Sequence, residues 1–245
     1  MLFRSIVVVN PIFIDKLIEY GLDRNKIRYI PNFVAKSEFY EQTQAKKNAT
    51  RQELGIPQDK FVVFGDGQVQ ARKGVDDFAK LAEANPDYQF IWAGGFSFGK
   101  ITDGYDHFKQ LVENPPKNLT FTGIIDREKL VDYLNMADLF LLPSFDELFP
   151  MSVLEAFSCG TPVLLRDLDL YRAIIDGYYL AGKDSAEMNE QLRFAATHPE
   201  VLARQQELSR KASQQYSEDH LAEIWRDFYQ EQYQLGRELG QISYE

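Results

Sequence analysis

The chain is short of several residues that usually advertise a chemistry. Among 245 residues there is one cysteine, Cys159, and there are three histidines, His107, His198 and His220. A lone cysteine cannot close an internal disulfide, so a reducing cytoplasm is the default setting. Cys159 sits between Ser158 and Gly160 and reads as a small packed residue, not a nucleophile. The histidines lie far apart and lack metal-ligand spacing, so no metal site is expected. Basic residues number 27 against 37 acidic ones, a formal net charge of −10. That balance argues against a broad nucleic-acid footprint, which needs cations to displace phosphate counterions. No apolar run approaches the roughly 20 residues of a membrane helix. Residues 1–9 are too short, and too soon followed by Asn10-Pro11, to be a signal peptide. The chain reads as soluble or peripheral. Two glycine signatures are also missing. Gln70 stands where the third glycine of a dinucleotide fingerprint would follow Gly65 and Gly67, and no Gly-Lys-Ser/Thr loop occurs.

What is present is an ordinary globular composition, 44% hydrophobic and 26% charged. The length suits one large α/β domain, or one domain with appendages. Residues 6–9 read as a strand and 11–20 as an amphipathic helix with Ile14, Leu17 and Ile18 on one face. Gly21 closes that helix, and residues 26–30 are a second strand. Nothing lies upstream of this βαβ-like unit, which is odd for a complete domain. Residues 35–52 read as a polar linker and the start of a helix. Strands are then expected at 61–64, 89–93, 119–122, 139–143 and 162–165. Helices fall between them at 73–84, 105–113, 128–135 and 151–158. Short apolar strands alternating with helices predict a Rossmann-like parallel sheet with helices on both faces. Beyond Ala186 the chain is helical and polar to its end.

Two loops carry chemistry. Residues 65–74, Gly-Asp-Gly-Gln-Val-Gln-Ala-Arg-Lys-Gly, join a strand to a helix. Glycine lets the backbone approach a ligand, a helix entrance offers free N–H groups, and Arg72 and Lys73 add two cations. That makes a diphosphate site, although a tight turn with a solvated basic pair fits the loop equally well. The second loop leaves the strand at 139–143, passes Glu147 and enters a helix, with Pro150 at the first helical position and Glu155 about a turn in. Ligands of open α/β sheets bind outside the carboxyl ends of strands. A carboxylate there can accept hydrogen bonds from adjacent sugar hydroxyls, and the helix N-terminus favours phosphate. Two glutamates alone are weak evidence. The ordered frame of strand, Pro-Ser, Glu, Phe-Pro, Leu-Glu-Ala and Gly-Thr-Pro-Val is what raises the odds.

That frame resembles the retaining glycosyltransferases of family 4, which have the GT-B fold of two facing Rossmann-like domains. Glu147 and Glu155 match the family's paired-glutamate motif. Residues 67–74 match its Gly-Arg…Lys-Gly loop, with Lys73 at the lysine. Phe121-Thr122-Gly123 matches the strand end near the donor base, and Tyr29-Ile30-Pro31-Asn32 the segment leading into the carboxy-terminal domain. The resemblance implies that Lys73 binds the donor diphosphate, Glu155 holds the ribose and Glu147 contacts the donor sugar near the reacting centre. Backbone groups of Phe149, Met151 and Ser152 would meet sugar and phosphate, Gly67 and Gln68 would line the donor loop, and Ile124 would lie near the base. There are two departures. Gln68 replaces the family's arginine, with Arg72 as a stand-in, and Pro150 replaces a frequent glycine, which removes one backbone donor.

Within the family, residues 65–77, 91–96 and 149–152 look most like Gram-positive glycolipid synthases. The resemblance therefore implies retaining hexosyl transfer from UDP-glucose or UDP-galactose to a glycerolipid or glycolipid. UDP-sugar is then a substrate, and no cofactor is implied. The expected division is a remnant of the amino-terminal acceptor domain at 1–34, a donor-binding domain at 35–215 and a crossover helix at 216–245. Its aromatic stripe, Leu221, Ile224, Trp225, Phe228 and Tyr229, would be left partly without its partner. The basic membrane-facing surface of such enzymes is expected on the other half, so the acidity here does not oppose a lipid acceptor at the inner face of the plasma membrane. Two other readings remain. One is a non-catalytic nucleotide-sugar-binding subunit that needs a partner chain. The other is a GT-B-type sugar-nucleotide epimerase, for which no acid–base carboxylates and histidines can be placed.

Overall fold

β-branched and aromatic runs become strands, and among the described residues the strands pair in parallel. The computed structural model describes residues 5–97 and 99–239. Strands β1 (Ile6–Val8) and β2 (Ile27–Tyr29) pair in parallel, with helix α1 (Ile12–Glu19) between them. Gly21, at φ +84°, ends α1 in the left-handed conformation a C′ glycine supplies. The apolar face expected on α1 has little cover. None of its residues is buried, and Ile18 is exposed.

The main sheet has six strands: β3 (Val62–Asp66), β4 (Gln89–Ala93), β5 (Leu119–Gly123), β6 (Leu139–Leu142), β7 (Val163–Arg166) and β8 (Leu180–Gly182). Their order is β5-β4-β3-β6-β7-β8. The chain winds outward from β3 to β5, returns, and winds outward again from β6. The order therefore reverses between β3 and β6, where Val63 lies opposite Leu139 and Phe64 opposite Phe140. That reversal leaves a crevice at the carboxyl ends of the two strands. Helices α2 (Gln44–Glu53), α5 (Arg127–Met136), α6 (Met151–Ser158) and α9 (Pro199–Gln215) touch one another in that order. Helix α3 (Val75–Ala84) packs on α8 (Ser185–Thr197). Helix α4 (Tyr105–Glu113) joins β4 to β5, and α7 (Asp169–Ile175) joins β7 to β8.

Helix α7 and strand β8 occupy 169–182, a stretch where the sequence suggests no element. β8 has only three residues, too few to show a period. It is a strand because Leu180 finds Leu164 at the sheet edge. Between the layers, Phe78 stands edge-on to Phe90 and Trp92, with ring centroids 5.4 and 5.0 Å away. Each such fully buried large side chain contributes on the order of 1.5–3 kcal/mol.

After α9 the chain turns at Tyr216, whose carbonyl accepts the Val34 N–H at 3.1 Å. Helix α10 (Glu218–Glu238) starts at Ser217, whose hydroxyl caps the His220 N–H. It then runs beside the β1-α1-β2 unit. Arg28 pairs with Glu231 at 2.8 Å, and the Ser5 hydroxyl donates to Gln232 Oε1 at 2.6 Å. Of the stripe on α10 only Leu221 is buried. Trp225 packs instead on Phe228 and Tyr229 of its own helix.

One expected helix starts differently. Residues Ala71–Lys73 form a 3-10 turn, Gly74 takes φ +71°, and α3 begins only at Val75. A Cβ on Gly74 would lie 2.1 Å from the Pro143 carbonyl oxygen, so glycine alone lets the β3 and β6 loops meet. Gly74→Ala is expected to destabilise the chain by about 2–4 kcal/mol, from backbone strain plus overlap. Gly21→Ala has similar backbone strain but open space around it, and should cost only about 1 kcal/mol. Urea titration of both variants checks this, and equal losses would contradict the close approach.

Candidate functional site

The loop after β3 is fastened to its neighbour. Gly67 N–H donates to the Ala93 carbonyl at 2.9 Å, the Trp92 indole N–H donates to the Gly67 carbonyl at 3.1 Å, and Val69 N–H donates to the Gly95 carbonyl at 3.0 Å. A Cβ on Gly94 would fall 1.9 Å from the Gly67 oxygen. Beyond Gln68, whose side-chain oxygen accepts from Gln70 at 3.0 Å, the 3-10 turn presents Arg72 and Lys73.

The loop after β6 closes on that turn. Phe145 N–H donates to the Arg72 carbonyl at 2.8 Å, and Arg72 Nη1 donates to the Asp146 carbonyl at 2.7 Å. Lys73 Nζ lies 2.6 Å from Glu147 Oε1, and Arg72 Nη1 lies 3.5 Å from Glu147 Oε2. Two cations from one side of the switch point thus share one buried carboxylate from the other. Arg166, buried at the end of β7, holds the base of the loop. It donates to the Pro143 carbonyl at 3.1 Å, pairs with Asp77 at the start of α3, and lies 3.9 Å from the Phe145 ring centroid.

Helix α6 brings in the second carboxylate. Pro150 is its N-cap, at φ −80° and ψ 93°, and not its first helical residue as the sequence suggests. Lacking an N–H, Pro150 loses nothing at a helix end, and its carbonyl accepts from Val153 at 3.1 Å. Glu155, one turn on, is buried and pairs with Arg127 at 2.8 Å. Burial pushes the Glu155 carboxyl above its usual range, and the Arg127 charge opposes that shift. Asp66, the last residue of β3, is buried nearby. Burial first, then the negative charge of Glu155, raises its pKa to about 7, against the pull of the Ser152 hydroxyl and Lys73.

The structure therefore brings Arg72, Lys73 and Glu147 into direct contact, with Ser152 and Glu155 on the helix behind them. Met151 and Ser152 are half-buried in the first turn of α6. The Phe149 ring turns away, edge-on to Tyr216 at 6.2 Å. Ile124 is 74% exposed after Gly123, close to Gly95, whose Cβ would sit 3.3 Å from Ile124 Cγ1. Cys159 is fully buried and burial pushes its thiol far up, consistent with a packed residue. Among the described residues no group of His, Cys, Asp or Glu is gathered so as to hold a metal ion, and no helix is long and apolar enough to cross a membrane. Sequence reasoning missed Asp66, Arg127 and Arg166. An aspartate closing the otherwise apolar β3 is a signal for the first. The other two reach the site only through the fold.

A doubly wound parallel sheet in which a cationic loop meets an acidic one at the switch point leaves a ligand crevice there. The family model described as Glycosyl transferases group 1 matches residues 46–214, and the chain belongs to that family. It is 51% identical over 234 residues to the alpha-galactosylglucosyldiacylglycerol synthase of Streptococcus pneumoniae, covering 96% of this chain and 63% of that protein. It is 34% identical over 133 residues to the processive diacylglycerol alpha-glucosyltransferase of Acholeplasma laidlawii, covering 54% of this chain and 39% of that one. Among solved structures, Anabaena HepE in complex with UDP and glucose superposes with a TM-score of 0.82 at 17% identity, over 93% of this chain and 63% of that one. Sucrose-phosphate synthase from Thermosynechococcus elongatus gives 0.81 at 21%, over 94% and 59%. These likenesses establish the GT-B type of fold. The chain spans less than two thirds of the length of each of these relatives.

Asp66 sets a pH dependence. Its pKa is about 7 in the folded chain against an ordinary 3.8, so between those values the folded state holds a proton that the unfolded state has released. Stability should fall as pH rises through that window and level off above it. Asp66→Asn should remove the slope, and at pH about 8 should be more stable than the parent by up to about 4 kcal/mol. Urea midpoints measured from about pH 4 to about pH 8 check this, and parallel profiles for the two chains would contradict it.

Proposed function

We propose that the chain binds the donor of a hexosyltransferase, a UDP-sugar, and that the whole enzyme transfers the hexose to a glycerolipid or glycolipid with retention of anomeric configuration. One observation carries this reading: Arg72 and Lys73 converge on Glu147 at the switch point, beside the N-terminus of α6. Breaking a sugar–phosphate bond builds negative charge on the leaving diphosphate. Fixed cations and a helix N-terminus stabilise that charge without reorganising. Lys73 has three N–H donors, so it can keep Glu147 while donating to a phosphate oxygen. Glu147 orients the sugar at its reacting carbon. The acceptor hydroxyl attacks on the face from which the diphosphate departs and gives its proton to the leaving phosphate oxygen, so the sugar–phosphate bond is replaced by a sugar–acceptor bond with the configuration retained. Glu155 accepts hydrogen bonds from the ribose hydroxyls. Gly67, Gln68, Phe149, Met151 and Ser152 line the donor through backbone groups, and Ile124 borders the base.

The acceptor assignment is supported by the names of the relatives, a galactosylglucosyldiacylglycerol synthase and a diacylglycerol glucosyltransferase. The UDP donor is supported by the HepE complex with UDP and glucose. Residues 35–215 act as the donor domain. Residues 1–34 and 216–245 belong to the acceptor side, a division supported by the Arg28–Glu231 and Ser5–Gln232 contacts. The lipid acceptor makes the enzyme peripheral at the inner face of the plasma membrane.

Calorimetry with UDP and with uridine tests the site. Lys73→Ala should weaken UDP about tenfold or more, the worth of a charge-assisted hydrogen bond, and leave uridine nearly unchanged. A folded chain that binds no UDP at millimolar ligand, or a Lys73→Ala chain with unaltered UDP affinity, would contradict the proposal.

A further inference from the structure

Arg127 stands where helix electrostatics disfavour it. It is the first residue of α5, at the positive end of the helix dipole, a place that suits an anion. Its contacts explain its position. Nη1 donates to Glu155 Oε1 at 2.8 Å, Nε donates to Glu38 Oε2 at 3.0 Å, and the guanidinium lies 4.7 Å from the Phe39 ring centroid. One planar group is thus held by three partners. Two of them, Glu38 and Phe39, belong to the segment that leads from β2 into α2, while Glu155 belongs to the proposed nucleotide site. The Arg127 side chain is half-exposed, whereas Glu155 is almost fully buried.

We propose that Arg127 is a positioning residue for ribose recognition, fixing the Glu155 carboxylate in its ionised form and in the orientation that receives the ribose hydroxyls. This rests on the reading of Glu155 given above. A buried carboxylate without a partner either takes up a proton or swings toward solvent. A protonated carboxyl keeps one oxygen as a donor and loses acceptor capacity, so it recognises a pair of hydroxyls poorly. Arg127 opposes both outcomes through a single contact, Nη1 to Glu155 Oε1. A carboxylate offers about four lone-pair sites, so this contact leaves room for two hydroxyl donors. The contact from Glu38 and the stacking on Phe39 fix the guanidinium in turn. The linker segment, remote from the phosphate loops, thereby helps to set how the nucleoside half of the donor is read.

The test is a set of dissociation constants for UDP and 2′-deoxy-UDP, measured by calorimetry on the full chain and three variants. Glu155→Ala should bring UDP down to the affinity of 2′-deoxy-UDP. Arg127→Ala should weaken UDP about tenfold and 2′-deoxy-UDP much less, and Arg127→Lys should restore part of the preference. Arg127→Ala combined with Glu155→Ala should bind no worse than Glu155→Ala alone. A purely structural arginine would weaken both nucleotides alike, and that result overturns the proposal. So does an Arg127→Ala chain that keeps its preference for UDP while Glu155→Ala loses it. If Glu155→Ala itself leaves the preference intact, the ribose role of Glu155 fails and the role of Arg127 falls with it.

Discussion

The ion pair between Lys73 and Glu147 spans the one place in the sheet where strand order reverses. Its two residues come from loops that follow β3 and β6, strands far apart in sequence and adjacent in space. Everything around it serves to bring those loops together. Gly74 permits the backbones to touch, Arg166 holds the base of the β6 loop from beneath, and Trp92 and Gly94 tie the β3 loop to its other neighbour. Burying a carboxylate as deeply as Glu147 is costly unless a cation is paired with it. Lys73 and Arg72 meet that need, and the same cations are what a diphosphate would engage.

Charge in the crevice is nearly balanced by local pairing. Three acidic groups, Asp66, Glu147 and Glu155, face three cations, Arg72, Lys73 and Arg127. Glu147 takes two of the cations, Glu155 shares one with Glu38, and burial raises the pKa of both Asp66 and Glu155. The overall charge of −10 therefore says little about the site, where the fold gathers cations from separate segments.

Much of this was legible before the fold was known. Periodicity sufficed for β4, α4 and α6 because each combines a clear apolar pattern with flanking Gly, Pro, Asn or Ser. It failed at β8, which is too short to have a period, and at residues 71–74, where Gly74 breaks a helix that the apolar spacing of Val75 and Phe78 extends backwards. Glu147, Glu155 and Lys73 were legible because their spacing is local to a strand–loop–helix unit. Arg127 and Arg166 were not, because their partners lie 28 and 89 residues away and nothing in the local sequence sets them apart from solvated surface arginines. The stripe on α10 was visible as a pattern, and its partial exposure reflects which elements pack beside it.

A crystal structure of the chain with UDP tests the central claim most directly. The account predicts the diphosphate at the mouth of the β3–β6 crevice, within hydrogen-bond distance of Lys73 Nζ, and the ribose hydroxyls on the Glu155 carboxylate with Arg127 still behind it. UDP bound elsewhere, or bound in the crevice with its ribose turned away from Glu155, would contradict it.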